Sequence, residues 1–201
     1  MKKIGLLISG RGSNFEAIAR NVQAGKIPAE IGVVISNKED AVGLAIARQM
    51  GLNAVCIPSK GKEREAFERE LVACLQQHEV DLVCLAGFMR VLTAYFIREF
   101  KGRILNIHPA LLPAFKGGCA IKDAFDYGVK VTGVTVHFVD GRVDHGPIVV
   151  QEALVVREAE SVERLEERIH RIEHKIYADA IRRVLAGRYA IRNRKVVFIG
   201  R

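Results

Sequence analysis

The stretch KKIGLLISGRGSNFEAIARNVQAG, residues 2–25, decides the class of fold. Its first half is an apolar run typical of a buried strand, and its second half repeats apolar residues at helical spacing. The glycines between the two halves form a loop, and Ser13 and Asn14 are natural caps for the helix that follows. A strand that passes through a glycine loop into a helix predicts the first strand–helix unit of an α/β fold.

The rest of the chain continues this alternation. Strands are predicted at residues 31–36, 54–57, 81–87 and 104–105, and helices at residues 41–51, 63–78, 88–100 and 161–185. Such an order predicts an open, mostly parallel, twisted sheet with helices on both faces. Because no linker or internal repeat divides the chain, residues 1–201 are expected to form one domain.

Polar groups that can do chemistry follow two of the later strands. Asn106 and His108 share one face of a strand, because side chains two residues apart point to the same side. The strand-like residues 131–139 lead to Asp140 and Asp144 in a glycine-containing loop. An amide that holds an oxyanion, a histidine that carries a proton and a carboxylate that orients it describe a site for acyl transfer. Ordinary hydrogen bonding in a loop is the alternative interpretation.

The first glycine loop is a candidate phosphate site. Gly10, Gly12, the Ser13 hydroxyl and the free N–H groups of the helix start can cradle a phosphate. The dinucleotide fingerprint is incomplete, because Phe15 stands at its third glycine position and the second strand ends at Asn37 instead of an acidic residue. A monophosphate is therefore favoured over a dinucleotide, and a capped turn without a ligand is the alternative. Ligands bind beyond the carboxyl ends of parallel strands, so this loop is expected to converge with those at residues 87 and 106.

The amino-acid composition limits the kinds of protein that this chain can be. With 201 residues, of which 49% are hydrophobic and 27% charged, the chain can form a sizeable core. Its apolar runs are too short to span a bilayer and no signal peptide is evident, so we expect a cytoplasmic protein without a membrane partner. The cysteines lack metal-ligand spacing, which predicts reduced thiols and no metal.

The net charge of +8 makes a nucleic-acid-binding module the alternative from a different class. The basic residues are scattered, however, and the densest run, residues 188–201, is interpreted as a solvated terminal strand. We therefore expect no nucleic-acid partner. A small anionic substrate explains the positive charge equally well.

The run from Asn106 to Gly117, together with Asp144-x-Gly146-Pro147-Ile148, resembles the folate-dependent formyltransferases, and the resemblance covers nearly the whole chain. It implies a Rossmann-like fold and an enzyme that transfers the formyl group of N10-formyltetrahydrofolate to an amine. The acceptor that it implies is 5'-phosphoribosylglycinamide of purine biosynthesis. A hydrolase that gives the formyl group to water, or a transferase acting on another amine, is the alternative. Both a monomer and a homodimer are compatible with the resemblance.

The resemblance also implies roles for individual residues. Asn106 would hold the oxyanion, and His108, kept protonated or hydrogen-bonded by Asp144, would pass a proton to the departing folate nitrogen. The residues that would bind the acceptor are Gly12, Ser13, Asn14 and Glu173. Those that would bind the folate are Arg64, Met89, Arg90, Val91, Leu92, Asn106, Asp140, Gly141, Arg142, Val143 and Asp144. The chain departs from the family at Cys119, where many members have a histidine.

Overall fold

The computed structural model describes residues 1–199 of the chain. These residues form two compact units, of which the first is Met1–Leu105 and the second begins at Asn106. The predicted α/β class is confirmed, since helices flank the strands of an open and mostly parallel sheet. The prediction that residues 1–201 form one domain stays a prediction. No helix within the described residues is both long and apolar enough to cross a membrane.

The first unit is a parallel sheet whose strands alternate with helices. Its elements are β1 (Lys2–Ile8), α1 (Ser13–Gln23), β2 (Ala29–Ser36), α2 (Val42–Gln49), β3 (Ala54–Cys56), α3 (Arg64–Gln77), β4 (Leu82–Leu85) and α4 (Ala94–Glu99). The strands lie in the order β3-β2-β1-β4, and each neighbouring pair is parallel. The apolar side chains of β1 are buried, as expected for an inner strand of a parallel sheet.

The helix predicted at residues 88–100 is wrong in its first half, because α4 begins only at Ala94. The backbone N–H of Met89 donates to the Ser9 hydroxyl at 2.8 Å, and that of Thr93 donates to the Glu68 carboxylate at 2.8 Å. A helix that began at residue 88 would direct the Thr93 N–H to the carbonyl of Met89, so the bond to Glu68 replaces a helical hydrogen bond. Residues 88–93 therefore form an irregular segment.

The second unit combines strands of both directions with one long helix. Its elements are β5 (Ile104–His108), which begins at the end of the first unit, α5 (Ala120–Tyr127), β6 (Val131–Phe138), β7 (Ile148–Val155), α6 (Val162–Leu185), β8 (Tyr189–Arg192) and β9 (Lys195–Phe198). The strand order is β5-β6-β7-β9-β8. β6 and β7 are antiparallel, as are β8 and β9, whereas β7 and β9 are parallel. The buried face of α6 packs on β6 and β7.

Candidate active site

β5 and the loop after β6 bring the three predicted catalytic residues together. Asn106 and His108 occupy alternate positions of β5 and so share a face of the strand. The loop returns at Gly146, where an added Cβ would lie 1.7 Å from the carbonyl oxygen of Phe138. Only glycine permits this close approach of the backbone. The turn at Gly146 places Asp144 between the Asn106 amide and the His108 imidazole.

The Asp144 carboxylate is the centre of the cluster. Its Oδ2 accepts a hydrogen bond from the Gly117 N–H at 2.9 Å and lies 3.4 Å from Nδ1 of His108. Its Oδ1 accepts from the Asn106 amide at 3.4 Å and lies 3.7 Å from Nε2 of His137. Burial alone would raise the pKa of Asp144, but His137, the Gly117 N–H and His108 together hold that pKa below its ordinary value. The carboxylate is therefore ionised at neutral pH.

The His108 imidazole is buried between two acceptors. Its Nε2 lies 2.7 Å from the Phe115 carbonyl oxygen, and its Nδ1 faces Asp144. A neutral imidazole has one N–H and can satisfy only one of these acceptors. Burial lowers the pKa of His108, and the opposite effects of Asp144 and the Phe115 carbonyl are smaller. Asp144 therefore favours the protonated form, as expected, but burial has the larger effect on the pKa of His108. The prediction that Asp144 keeps His108 protonated or hydrogen-bonded stays a prediction.

His137 is a member of the cluster that the sequence analysis missed. Its Nδ1 lies 2.7 Å from the Phe138 carbonyl oxygen, and its Nε2 lies 3.3 Å from the Asn106 amide nitrogen. Nδ1 holds a proton for the Phe138 carbonyl, and Nε2 faces both the Asn106 amide and the Asp144 carboxylate, so His137 lies against both of these groups. A signal was available, because Thr135 and His137 share a face of β6, and buried polar residues at alternate positions are unusual in an apolar strand.

Thr135 holds the backbone that follows His108. Its hydroxyl donates to the Ala110 carbonyl at 2.7 Å and accepts from the Leu112 N–H at 3.1 Å. Gln151, its partner across β6 and β7, donates to the same hydroxyl and to the Leu112 carbonyl. The exit from β5 is therefore fixed by buried hydrogen bonds.

The other folate residues predicted in this unit lie on the loop after β6. Gly141, Arg142 and Val143 are exposed. Asp140 pairs with Nδ1 of His145 at 2.8 Å and accepts from the Arg142 N–H at 3.0 Å, so its carboxylate does not take part in the His108 pair. Asp140 therefore lies in the predicted loop, but its carboxylate pairs with His145 and not with His108.

Two further predicted positions lie on helices of this unit. Glu173 is buried on α6, with a carboxylate oxygen 3.9 Å from Nε2 of His170 on the same helix. Cys119 is the exposed residue that precedes α5 as its N-cap. Among the residues that the structure describes, no group of three or more His, Cys, Asp or Glu side chains could hold a metal ion.

The predicted phosphate residues lie at the start of α1, in the first unit. Gly12 caps the helix with φ 74°, a left-handed conformation that suits glycine, whereas Ser13 and Asn14 are its first two helical residues. The prediction that Ser13 and Asn14 cap the helix is therefore wrong by one residue. The N–H groups of a first helical turn have no carbonyl within the helix to bind, and the helix dipole favours an anion there.

The predicted folate segment of the first unit combines apolar and basic side chains. Met89 and Val91 are exposed, and Leu92 is buried. The Arg90 guanidinium lies 5.2 Å from the centre of the Phe67 ring and donates to the Ser59 hydroxyl at 3.1 Å. Arg64 is the exposed first residue of α3.

A buried chain of hydrogen bonds supports this segment, and the sequence analysis missed it. Ser9 donates to the Asn37 side-chain oxygen at 2.6 Å, and the Asn37 amide donates to Ser59 at 3.1 Å. Ser9 also accepts from the Met89 N–H, and Ser59 accepts from Arg90. This series of hydrogen bonds therefore holds both Met89 and Arg90. The available signal is that Ser9 and Asn37 directly follow β1 and β2, and Ser59 comes soon after β3, at the edge of a parallel sheet where ligands bind.

Comparison with known proteins gives one consistent family. A sequence model of the family described as "Formyl transferase" matches residues 2–181. The phosphoribosylglycinamide formyltransferase of Bacillus subtilis (strain 168) is 40% identical over 92% of this chain and 95% of that protein. The solved structure of glycinamide ribonucleotide transformylase 1 from Symbiobacterium toebii is 47% identical in sequence. The superposition covers 100% of this chain and 95% of that chain, with a TM-score of 0.97.

Some similar proteins are much longer than this chain. The Bos taurus "Trifunctional purine biosynthetic protein adenosine-3" is 44% identical over 92% of this chain. The chain spans only 18% of the length of that protein. The similarity therefore concerns one part of a larger protein in that case.

Proposed function

Because the chain belongs to the formyl transferase family, we propose that it transfers the formyl group of N10-formyltetrahydrofolate to the amine of 5'-phosphoribosylglycinamide. The products are formylglycinamide ribonucleotide and tetrahydrofolate, which makes it an enzyme of purine biosynthesis. The observation that carries this proposal is the buried cluster in which Asp144 contacts both Asn106 and His108. The similarity to a bacterial phosphoribosylglycinamide formyltransferase over 95% of that protein's length supports the choice of acceptor.

Asn106 acts on the charge that develops during transfer. Attack of the amine on the formyl carbon converts the carbonyl oxygen into a tetrahedral oxyanion, which an N–H donor stabilises. The Asn106 amide nitrogen now makes long contacts of 3.3 Å with His137 and 3.4 Å with Asp144. Long hydrogen bonds of this kind are easily exchanged for a shorter one to an oxyanion, and catalytic contacts tighten in the transition state.

His108 carries the proton. The attacking amine loses a proton and the departing folate nitrogen gains one, so a group that holds a proton between these events accelerates the transfer. Nδ1 of His108 faces Asp144, whose charge stabilises the imidazolium when it forms. Nε2 is held by the Phe115 carbonyl, so direct proton exchange with a substrate at this nitrogen requires that contact to open.

The residues proposed to bind the two substrates have the chemistry that the substrates need. Exposed Met89 and Val91 offer apolar surface to a flat heterocycle, and Arg90 and Arg64 offer positive charge to carboxylates. The first turn of α1, with Gly12, Ser13 and Asn14, offers free N–H groups to the phosphate of the acceptor. Glu173 is proposed to bind the acceptor as well, and the loop residues 140–144 the folate. We further propose a cytoplasmic enzyme that acts without a metal or a nucleic-acid partner.

The test is product formation with and without the acceptor. The enzyme is incubated with N10-formyltetrahydrofolate, and tetrahydrofolate, formate and formylglycinamide ribonucleotide are quantified. Formyl transfer predicts one formylated nucleotide for each tetrahydrofolate, and negligible tetrahydrofolate without 5'-phosphoribosylglycinamide. Equal tetrahydrofolate and free formate in its absence would identify a hydrolase. Asn106→Ala, for which a much lower turnover is expected, serves as the control for contaminating enzymes.

A further inference from the structure

We propose that the hairpin formed by β8 and β9 is a latch for the loop of residues 139–147, and that Arg194 is the positioning residue of this latch. The proposal rests on the proposed function, because that loop carries Asp144 and the predicted folate residues. The family match ends at residue 181, so the hairpin lies outside the matched region.

Arg194 joins two separate points of the loop. Its Nη2 donates to the His145 carbonyl oxygen, and its Nη1 lies 3.0 Å from Nδ1 of His145 and 3.9 Å from the Asp140 carboxylate. Asp140 in turn pairs with His145. Burial alone would raise the pKa of Asp140, but His145, the Arg142 N–H and the Arg194 charge hold that pKa below its ordinary value. One guanidinium therefore ties together the residues that flank Asp144.

The backbone of Arg194 is in a conformation that arginine rarely adopts. Asn193 and Arg194 form the two-residue turn of the hairpin, with φ values of 47° and 69°. Glycine is the usual residue at the second position of such a turn, and a larger residue there is strained. Strain of this kind persists where the surroundings compensate for it, and the contacts that can do so here are the hydrogen bond to the His145 carbonyl and the ion pair with Asp140.

The rest of the hairpin is anchored at both ends of the same loop. Tyr189 stacks on Phe138, the last residue of β6, with ring centres 5.5 Å apart. Lys195, next to Arg194, pairs with Ile148, the first residue of β7. The hairpin therefore contacts the loop just before it starts, just after it ends, and through Arg194 within it. Such an arrangement restricts the loop and, with it, the position of Asp144, whose own φ of 45° is left-handed.

The test uses Arg194→Gly, which removes the side chain and gives the turn its preferred residue, so the hairpin stays folded. Arg192→Ala is the matched control, because it removes the same charge from an exposed position of β8. Arg194→Lys is a second variant that keeps the charge and loses the forked donor. Hydrogen–deuterium exchange of peptides covering residues 139–147 is followed beside the kinetics of all three variants.

In Arg194→Gly, loop amides should exchange about fivefold to tenfold faster, and the folate KM should rise by a similar factor, as expected for loss of one hydrogen bond from a half-exposed side chain. The acceptor KM should not change, Arg192→Ala should resemble the wild type, and Arg194→Lys should lie between them. Exchange in Arg194→Gly equal to that of Arg192→Ala would overturn the latch. The exchange measurement needs no catalysis, so a wild-type protein that fails to transfer formyl groups would refute the proposed function and leave the test of the latch intact.

Discussion

Replacing Asp144 by asparagine tests the central pair of the site, because it removes the charge beside His108 and keeps the size of the side chain. The backbone should tolerate the change, since asparagine is among the residues that adopt the left-handed φ of 45° found at this position. The amide oxygen can still accept the hydrogen bond that Gly117 now donates to Asp144. The amide NH2 then replaces Oδ1, which now accepts from Asn106, so the pKa of His108 reports the effect of the charge more directly than turnover does.

The magnitude follows from the separation of the two groups. Unit charges 3.4 Å apart attract by about 5 kcal/mol at an effective dielectric constant of about 20. Measured pKa shifts from a close opposite charge are smaller, about one to three units, or about 1.4 to 4 kcal/mol. In Asp144→Asn the imidazolium form should lose this amount of stabilisation. The pKa of His108, already lowered by burial, should therefore fall further. If the imidazolium takes part in transfer, turnover at neutral pH should fall about tenfold to a thousandfold.

Two measurements check this prediction. The pKa of His108 is followed by NMR titration of its ring in the wild type and in Asp144→Asn. Turnover is measured from acidic to basic pH for Asp144→Asn, His108→Ala and the double variant. Asp126→Asn is the matched control, because it removes the same charge from an exposed position of α5, where the carboxylate pairs with Lys122, and it should leave the pKa of His108 unchanged.

The double variant decides whether the two residues act as one unit. If Asp144 acts through His108, its replacement should change turnover little once His108 is absent. Independent losses that multiply in the double variant would refute this mechanism. An unchanged pKa of His108 in Asp144→Asn would refute the electrostatic argument itself.

Three further predictions concern other parts of the molecule. Asn106→Ala should still bind both substrates but lose about a hundredfold to a thousandfold in kcat, because loss of an oxyanion donor costs about 3 to 4 kcal/mol. An unchanged kcat would remove Asn106 from the mechanism. Ser59→Ala should raise the folate KM about fivefold to tenfold, because Arg90 loses its hydrogen bond to Ser59, and should leave the acceptor KM unchanged. Lys60→Ala, at an exposed position, is the control and should change neither KM. The free energy of unfolding, measured by urea titration, should decrease in two steps as the pH falls. Below about pH 6.5 the unfolded chain protonates His108, whereas the folded protein, in which the pKa of His108 is lower, does not. Below about pH 3.9 the same argument applies to Asp144, whose pKa is also lower in the folded protein. His108→Gln should flatten the first of these decreases, and a decrease that persists unchanged would assign it to another group.

The parallel unit could be predicted from sequence because each of its elements carries its own periodicity. β1 and α1 were expected from one apolar run and one amphipathic run, and both are confirmed. Residues 88–93 show where this reasoning fails. Their apolar spacing is compatible with a helix, but the donors of Met89 and Thr93 bind Ser9 and Glu68, which are distant in sequence. No local pattern contains that information.

The second unit was harder to predict because its strands run in both directions and its last two strands join the sheet through tertiary contacts. Asn106, His108 and the loop bearing Asp144 could be placed from strand period and glycine position alone. The role of Arg194 depends on β9 pairing with β7, and that pairing depends on tertiary contacts such as Tyr189 on Phe138. A basic terminal stretch was therefore interpreted as solvated, although one of its arginines contacts the loop that carries Asp144.

The protonation of His108 shows why placing a residue is easier than assigning its charge. The neighbouring carboxylate was predicted, and its effect on the pKa has the expected direction, but burial has the larger effect. The balance changes during the proposed reaction, because an oxyanion forming near Asn106 adds a second negative charge close to the imidazole. That charge raises the proton affinity of His108 when the attacking amine must release its proton. A histidine that is neutral at rest can therefore accept a proton as the intermediate forms and release it as the intermediate collapses, once the contact of Nε2 with the Phe115 carbonyl has opened.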